Sequence, residues 1–340
     1  MEPSVASEPP LAPSLLFVLP VYDDWTVLAS LLVDLDTMVS AEGLDAEILV
    51  VDDGSRSSVE DSSLADVLRG NRKSALTRLR VLELRRNLGH QRALALALAW
   101  VHEEMPDRTL IILDADGEDD PDDVPRLLRR YQQEDCQKVV FAARRKRSEN
   151  WRFQLFYRVY QILHRLLTGS DIRVGNFSVV PPRAVARLVV TSETWSHYAA
   201  AVAVSRVPRC EVATDRAQRL DGRSKMSFTS LVVHGLSALS VYSHVIGVRL
   251  LLSVAGVLAI SGGTVAAYVL SFGVPDWASA PMLALLASIW LLILLQTLAA
   301  GILFVFILLS GRQSASVLPL RDYQLFVRRV AEVPVAGSVS

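Results

Sequence analysis

The chain has 340 residues, 51% of them hydrophobic, and its 35 basic residues almost balance its 36 acidic ones. This length exceeds the roughly 100–200 residues of a typical domain, so we expect one soluble domain and a further part. The neutral balance, and a basic run at 144–147 without interleaved aromatic residues, argue against nucleic-acid binding.

The first 14 residues are rich in Pro, Ser and Glu and contain no basic or cleavable apolar segment, which predicts a disordered tail rather than a signal peptide. From residue 15 onward, strand and helix signals alternate, which is typical of an α/β fold with a mostly parallel sheet. The predicted strands are 15–19, 47–51, 79–84, 110–113 and 138–142, and the predicted helices include 25–38 and 92–104. The two cysteines, Cys136 and Cys210, have no metal-ligand spacing, so neither a disulfide framework nor a zinc site is expected.

Polar clusters follow two of the predicted strands. Asp52 and Asp53 end the second strand, where they either form a simple turn on Gly54 or bind a ribose or base edge. The strand 110–113 runs directly into five carboxylates within 114–120. Ligands of open α/β sheets bind beyond the carboxyl ends of the strands. No GxGxxG follows the first strand and no GxxxxGK[ST] occurs, so dinucleotide binding and P-loop chemistry are not expected.

Asp114 and Asp116 lie two residues apart at a strand end, so both can bind one hard divalent cation through oxygen. Packed carboxylates repel one another, so either their pKa values rise or a cation lies among them. The same cluster also fits a solvated acidic turn that caps a helix starting near Pro121. Both interpretations are open at this point.

The stretch 250–311 carries one charged residue, Asp276, and contains two apolar runs, 250–272 and 280–310. Each run is long enough to cross a bilayer core of ~30 Å. The Gly/Pro break between them, with Trp277, favours two spanning helices over one long buried helix. Because the charges at the outer flanks are basic, the positive-inside rule predicts that both chain ends are cytoplasmic. The flanking residues are Arg249, Arg312, Arg321, Arg328 and Arg329.

Five motifs, in order and spacing, resemble the family 2 glycosyltransferases of the GT-A fold. They are 20–24 (PVYDD), 51–55 (VDDGS), 86–93 (RNLGHQRA), 114–116 (DAD) and 219–225 (RLDGRSK). The last is similar to the RxxGxSK signature of polyprenyl-phosphate glycosyltransferases, including dolichyl-phosphate mannose synthases and bacterial relatives with two C-terminal spans. The resemblance covers roughly residues 15–330 and implies a GT-A (nucleotide-diphospho-sugar transferase, Rossmann-like) domain plus a transmembrane hairpin.

The resemblance implies a metal-dependent, inverting transfer of one sugar from a UDP- or GDP-sugar to a polyprenyl phosphate. It places Mg²⁺ or Mn²⁺ on Asp114 and Asp116, with Glu118 where the mannose synthases have a glutamine. The implied catalytic residues are Asp116, Arg144, Arg219 and Lys225. The implied donor-site residues are Pro20, Tyr22, Asp24, Asp52, Asp53, Asn87, Asp114, Arg152 and Ser224.

One position departs from the family pattern. Asn176 lies where relatives often carry an acid, so a general base at that position would be missing here. A phosphate monoester is already largely anionic near neutral pH and can attack without a strong protein base. Charge neutralisation on the leaving nucleoside diphosphate is therefore the greater need.

These patterns divide the chain into six segments. They are a disordered tail (1–14), a cytoplasmic catalytic domain (15–224), an interfacial amphipathic helix (225–244), two transmembrane helices (245–272 and 280–310) and a cytoplasmic tail (311–340). The helix 225–244 is expected to lie among lipid headgroups and present Lys225 to a lipid phosphate, although an ordinary amphipathic core helix has the same pattern. A truncation ending at Ser224 is then expected to be soluble but inactive on the lipid acceptor.

The expected partners are a nucleotide-sugar donor, a polyprenyl phosphate acceptor and membrane lipid, with no nucleic acid. A homo-oligomer is compatible with the sequence. Two alternatives stay open. One is transfer to another lipid or a polysaccharide. The presence of two spans and the absence of a QxxRW motif argue against it. The other is a catalytically silent scaffold that binds a nucleotide sugar, which the Asp114 and Asp116 pair disfavours.

Overall fold

The computed structural model describes residues 14–57, 75–144, 151–169, 174–214, 235–273, 280–313 and 317–333. The chain divides into two compact units. The first, here called the sheet unit, comprises Met1–Glu149, Ile172–Val241 and Val317–Ser340, and the second, the hairpin unit, comprises Asn150–Asp171 and Tyr242–Ser316. The division differs from the predicted one, because 150–171 belongs to the hairpin unit and 317–340 to the sheet unit.

The described strands of the sheet unit form one mixed sheet. They are β1 (Leu15–Val21), β2 (Ala46–Asp52), β3 (Leu76–Leu84), β4 (Thr109–Ile112), β5 (Val139–Arg144), β6 (Ser178–Val180), β7 (Arg209–Thr214) and β8 (Val327–Val333), in the order β7-β5-β6-β4-β1-β2-β3-β8. Parallel pairs join β1 to β2 and β4, β2 to β3, and β5 to β7, whereas β6 and β8 run antiparallel to their neighbours. The predicted α/β class is confirmed.

Helices cover both faces of this sheet. The described helices that pack on it include α1 (Trp25–Glu42), α2 (His90–Glu104), α3 (Val124–Gln133), α5 (Pro182–Leu188), α6 (Tyr198–Val204) and α9 (Pro319–Phe326). Strand β1 has every residue buried, and its alternate side chains belong to two separate core clusters. One cluster packs α1 and α3 and the other packs α2, α5 and α6 against the strands. Burial on both faces explains why the predicted strands are continuous apolar runs.

The C-terminal residues complete the sheet. Within 311–340, which the sequence predicts as a tail, α9 is followed by β8 at the edge next to β3. The pairing has a register shift at Glu83, which lies opposite Arg329. Strand β8 contains two arginines and one glutamate, and this charged composition is common for edge strands.

The hairpin unit contains α4 (Trp151–Thr168), α7 (Ser243–Phe272) and α8 (Ala280–Gln313). Two stretches, Ser243–Tyr268 and Ala287–Phe304, are long and apolar enough to cross a membrane, and none of the second is buried. The Nη1 of Arg249 on α7 donates a hydrogen bond to the carbonyl of Leu166 at 2.9 Å. Of the predicted interfacial helix 225–244, only 235–244 is described, with helix over 235–240; Lys225 lies outside the described residues.

Candidate active site

The loops that follow β1, β2 and β4 begin at one edge of the sheet. In the parallel register Val21 lies beside Asp52, and Val18 beside Ile112. Backbone bonds extend the alignment past the strand ends, since the N–H of Asp53 donates to the carbonyl of Val21 at 2.9 Å. The acidic residues after β2 and β4 therefore share one edge, as the strand-end argument predicts.

Hydrogen bonds between residues distant in sequence hold the loops after β1 and β2 together. The Oδ1 of Asp52 accepts the N–H of Ser55 at 2.8 Å. The hydroxyl of Ser55 in turn accepts the N–H of Asp23 at 3.0 Å, and Oδ1 of Asp23 accepts the N–H of Arg56 at 2.8 Å. These bonds fix the carboxylate of Asp52 at the end of β2.

Asp53 holds the turn that leads into α2. Its side chain is buried, and its two oxygens accept the N–H groups of Leu88 at 2.7 Å and Gly89 at 2.8 Å. Burial raises the pKa of Asp53 above its ordinary value, and the two backbone bonds oppose that rise. Gly54 has a φ of +71°, and a Cβ there would lie 2.6 Å from the backbone carbon of Arg86. The two loops thus touch at a position where only glycine fits.

An ion pair between the buried Glu83 and the half-exposed Arg329 lies next to Asp52. Burial raises the pKa of Asp52, the bonds from Ser55 lower it, and the nearby charge of Glu83 raises it further. Glu83 is itself buried, and its Oε1 accepts from Nε of Arg329 at 2.8 Å and from Nη2 at 2.7 Å. The arginine of β8 therefore neutralises a carboxylate next to the end of β2.

Asp114 lies in a polar cluster with His90 and Asn176. Its Oδ1 is 3.0 Å from Nε2 of His90 and accepts a hydrogen bond from Nδ2 of Asn176 at 3.1 Å. The side chains of His90 and Asp114 are 36% and 30% exposed, so solvent reaches the cluster. Burial alone would lower the pKa of His90, but Asp114, Asp116 and Asp119 together raise it. The Nε2 of His90 also lies 2.9 Å from Nδ2 of Asn176, so the three side chains form one polar cluster.

Within 114–123, the carboxylates of Asp119 and Asp120 accept hydrogen bonds from backbone N–H groups and so have a structural role. Asp119 is buried and its Oδ2 accepts the N–H of Asp114 at 2.9 Å. Asp120 is the N-cap of a 3₁₀ turn, Pro121–Asp123, and its Oδ1 accepts the N–H of Asp122 at 3.0 Å. The predicted cap is present at Asp120, whereas Asp119 holds the start of the acidic loop.

The candidate metal ligands are Asp114, Asp116 and Glu118, all partly exposed. Among the described residues, no three His, Cys, Asp or Glu side chains are grouped so as to hold a metal ion, so these three form no such group. Mg²⁺ commonly binds one or two carboxylates and completes its coordination with substrate phosphates and water. Asp114 and Asp116 fit that arrangement, because two carboxylates lie two residues apart at the open edge of the sheet.

A chain of amide and hydroxyl contacts leads from Asn176 to α6. The Nε2 of Gln91 donates to Oδ1 of Asn176 at 3.0 Å, and Oε1 of Gln91 accepts the N–H of Tyr198 at 2.7 Å. Ser178 Oγ donates to the carbonyl of Asn176 at 2.8 Å and lies 2.9 Å from the hydroxyl of Tyr198. Burial raises the pKa of Tyr198, which keeps it neutral. Gln91, Ser178 and Tyr198 were absent from the sequence-predicted site; the only signal for Gln91 was its place in the motif 86–93.

The remaining predicted site residues differ in their burial and in the unit to which they belong. Pro20 is buried in β1, Asp24 is partly buried, and Tyr22 and Asn87 are exposed. Arg144 ends β5 opposite Thr214, and Arg152 lies in α4 of the hairpin unit; the side chains of both arginines are outside the description. Arg219, Ser224 and Lys225 also lie outside the described residues.

Carboxylates beyond the carboxyl ends of the strands are typical of α/β proteins that bind a ligand at that edge of the sheet. Residues 17–187 match the model of glycosyl transferase family 2, and the chain belongs to this family. It is therefore a glycosyltransferase, and the predicted GT-A class of fold is confirmed. The match begins within β1 and ends within α5, so it contains the strand ends described above.

One curated relative matches nearly the whole chain. It is the undecaprenyl-phosphate 4-deoxy-4-formamido-L-arabinose transferase of Enterobacter sp. (strain 638), 26% identical over 333 residues, covering 95% of this chain and 94% of that protein. Solved structures are more distant. The glucosyl-3-phosphoglycerate synthase of Mycobacterium tuberculosis, in complex with Mn²⁺, UDP and glucosyl-3-phosphoglycerate, has a TM-score of 0.47 at 15% identity, covering 69% of this chain and 80% of that one. The mannosyl-3-phosphoglycerate synthase of Rubrobacter xylanophilus has a TM-score of 0.45 at 15% identity, with coverages of 68% and 73%.

Proposed function

We propose that this glycosyltransferase moves one sugar, with inversion and with the help of a divalent metal, from a nucleotide sugar to a polyprenyl phosphate at the cytoplasmic membrane face. The observation that carries this proposal is the match to an undecaprenyl-phosphate sugar transferase over 95% of the chain, which includes both apolar helices. The motif 219–225 adds support through its resemblance to the polyprenyl-phosphate enzymes. The sugar, the base and the lipid length stay open.

In this proposal, the donor binds along the edge formed by the loops after β1, β2 and β4. Asp52 accepts hydrogen bonds from the base or ribose, because its carboxylate is held at the strand end by Ser55. Asp114 and Asp116 would hold Mg²⁺ or Mn²⁺, which would neutralise negative charge on the diphosphate leaving group. The other proposed donor-site residues are Pro20, Tyr22, Asp24, Asn87, Arg144, Arg219 and Ser224. Asp53 is not among them, because both of its oxygens accept backbone N–H groups.

The acceptor phosphate needs little help from a protein base. It is largely anionic near neutral pH, so its oxygen attacks the anomeric carbon while the bond to the nucleoside diphosphate breaks. Asn176 is uncharged and donates to Asp114, which supports a role in shaping the site rather than in removing a proton. Lys225 is proposed to bind the lipid phosphate.

Membrane attachment brings the enzyme to its acceptor. The helices α7 and α8 have the length and apolar composition of spans, and the side chains of Ala287–Phe304 are not buried by protein. Hydrocarbon chains of lipid are the natural surroundings for such a surface. The basic flanks support a hairpin with both chain ends in the cytoplasm.

The test is transfer of label by the full chain in lipid vesicles that contain a polyprenyl phosphate. A panel of radiolabelled UDP- and GDP-sugars is offered, and one label should enter the lipid fraction, EDTA should stop its entry, and Mn²⁺ or Mg²⁺ should restore it. Asp116→Ala should lower the rate by roughly 100-fold or more, because a metal carboxylate is lost.

The matched control is Asp107→Ala, which removes an exposed carboxylate from the turn before β4. It should transfer at the wild-type rate. Full transfer by Asp116→Ala, or full transfer in the presence of EDTA, would contradict the metal-dependent mechanism. Labelling of a polysaccharide in place of the lipid would contradict the proposed acceptor.

A further inference from the structure

We propose that Gln91 and Asn176 are positioning residues for Asp114, through a hydrogen-bond chain that starts at the backbone N–H of Tyr198 and ends on Oδ1 of the carboxylate. This inference rests on the proposed function, since it takes Asp114 as a metal carboxylate. It gives a role to Asn176, the position at which the chain departs from its family.

The first step fixes the amide of Gln91. A backbone N–H can only donate, so the atom that faces Tyr198 N at 2.7 Å must be the oxygen of the Gln91 amide. Tyr198 is the first residue of α6, where backbone N–H groups lack acceptors within the helix. Gln91 satisfies one of these groups, and its Nε2 is thereby turned toward Asn176.

The second step fixes the amide of Asn176. The Nε2 of Gln91 can only donate, so the atom facing it at 3.0 Å must be Oδ1 of Asn176. The Nδ2 of Asn176 then faces Oδ1 of Asp114 at 3.1 Å as a donor. Reversing either amide would place two donors or two acceptors against each other along the chain from Tyr198 to Asp114. The Nδ2 of Asn176 also lies 2.9 Å from Nε2 of His90, so His90 contacts both ends of the last bond in this chain.

The third step fixes the backbone of Asn176. Ser178 uses its single hydroxyl hydrogen on the carbonyl of Asn176, so the hydroxyl of Tyr198 must donate to Ser178. Tyr198 is fully buried, and its ring packs 5.9 Å from that of Phe141. Both the main chain and the side chain of Asn176 are therefore tied to one residue that cannot move easily.

The consequence concerns the direction of the Asp114 carboxylate. Hydrogen bonds that orient a ligating carboxylate raise metal affinity because the ligand needs no reorganisation on binding. An acid at position 176 would face Asp114 with a second negative charge at the 3.1 Å now separating Nδ2 from Oδ1. An amide supplies a donor there without that repulsion.

The test compares Mn²⁺ binding to the full-length protein and to the uncharged variants Gln91→Met and Asn176→Ala. Free Mn²⁺ is followed by electron paramagnetic resonance, with and without inorganic pyrophosphate to supply phosphate oxygens. Each variant should bind Mn²⁺ roughly tenfold more weakly, as is usual for residues that orient a metal ligand. His90 still contacts Asp114 in both, so binding is weakened rather than abolished.

Because Gln91 and Asn176 act in series, the effects of the two substitutions on Mn²⁺ binding should not add. The double variant should bind Mn²⁺ as weakly as Asn176→Ala alone, because Gln91 acts only through Asn176. Gln132→Met, the same substitution at an exposed position of α3, should leave binding unchanged. Melting temperatures are recorded for all variants, and Gln91→Met, which conserves length, keeps the test valid if Asn176→Ala does not fold.

Two outcomes separate this inference from the proposed function. Wild-type Mn²⁺ affinity in Gln91→Met and Asn176→Ala, alongside lost binding in Asp116→Ala, would overturn the positioning role alone. Wild-type affinity in Asp116→Ala would overturn the metal site itself. Independent, additive losses in the double variant would also refute the serial chain.

Discussion

Replacing Asp53 with alanine removes the carboxylate that holds the turn before α2. Each hydrogen bond to a charged group contributes roughly 1.5–3 kcal/mol, so the bonds to Leu88 and Gly89 together contribute about 3–6 kcal/mol. Burial of the carboxylate, which raises its pKa, offsets part of this gain, and the partly exposed N–H of Gly89 can bind water in the variant. We therefore expect Asp53→Ala to lower the free energy of unfolding by about 2–4 kcal/mol.

Thermal unfolding of the full chain measures this effect. For a domain of roughly 150–250 residues, 1 kcal/mol corresponds to about 2–4 °C, so the melting temperature of the sheet unit should fall by roughly 5–15 °C. Transfer should fall as well, because His90 starts α2 directly after this turn and contacts Asp114. Asp107→Ala is again the control, and an unchanged melting temperature for Asp53→Ala would refute the role given to the two bonds.

Three further predictions follow from the same edge of the sheet. Gly54→Ala should lower the unfolding free energy by about 2–4 kcal/mol in thermal melts, since its Cβ would meet Arg86 at a positive φ; wild-type melting would contradict this. Arg329→Met should cost about 1–2 kcal/mol by leaving Glu83 buried without its half-exposed partner, and Glu83→Gln added to it should recover most of the loss. Nucleotide affinity, measured by calorimetry, should be constant above the raised pKa of Asp52 and fall as pH decreases through it; an identical decline in Asp52→Asn would exclude this carboxylate as the cause.

The element boundaries were largely predictable because the sheet unit has strong local signals. Continuous apolar runs identified β1, β2, β4 and β5 to within two residues, and the alanine- and leucine-rich run identified α2. The order of strands could not be predicted, since it depends on pairings between distant segments. Strand β8 was missed because seven residues with three charged side chains match a solvated tail as well as an edge strand.

The positions of two carboxylates in the candidate site could be predicted from the sequence, but their contacts could not. Asp52 and Asp114 lie at the expected strand ends, because the position of a residue in a parallel strand fixes the edge at which it lies. The bond between Asn176 and Asp114 joins residues 62 apart in sequence, and that between Gln91 and Asn176 joins residues 85 apart. Such contacts depend on packing of α2 and α6, which no local pattern encodes.

The position of β8 has a consequence for how the enzyme is made. The chain is synthesised from its N-terminus, so the edge strand of the catalytic sheet leaves the ribosome only after both apolar helices. Until then β3 has an unpaired edge and Glu83 lacks Arg329. A fragment ending at Ser224 would keep both defects permanently, so a soluble version needs 317–333 rejoined by a linker. Completion of the sheet therefore comes only after both apolar helices have been synthesised.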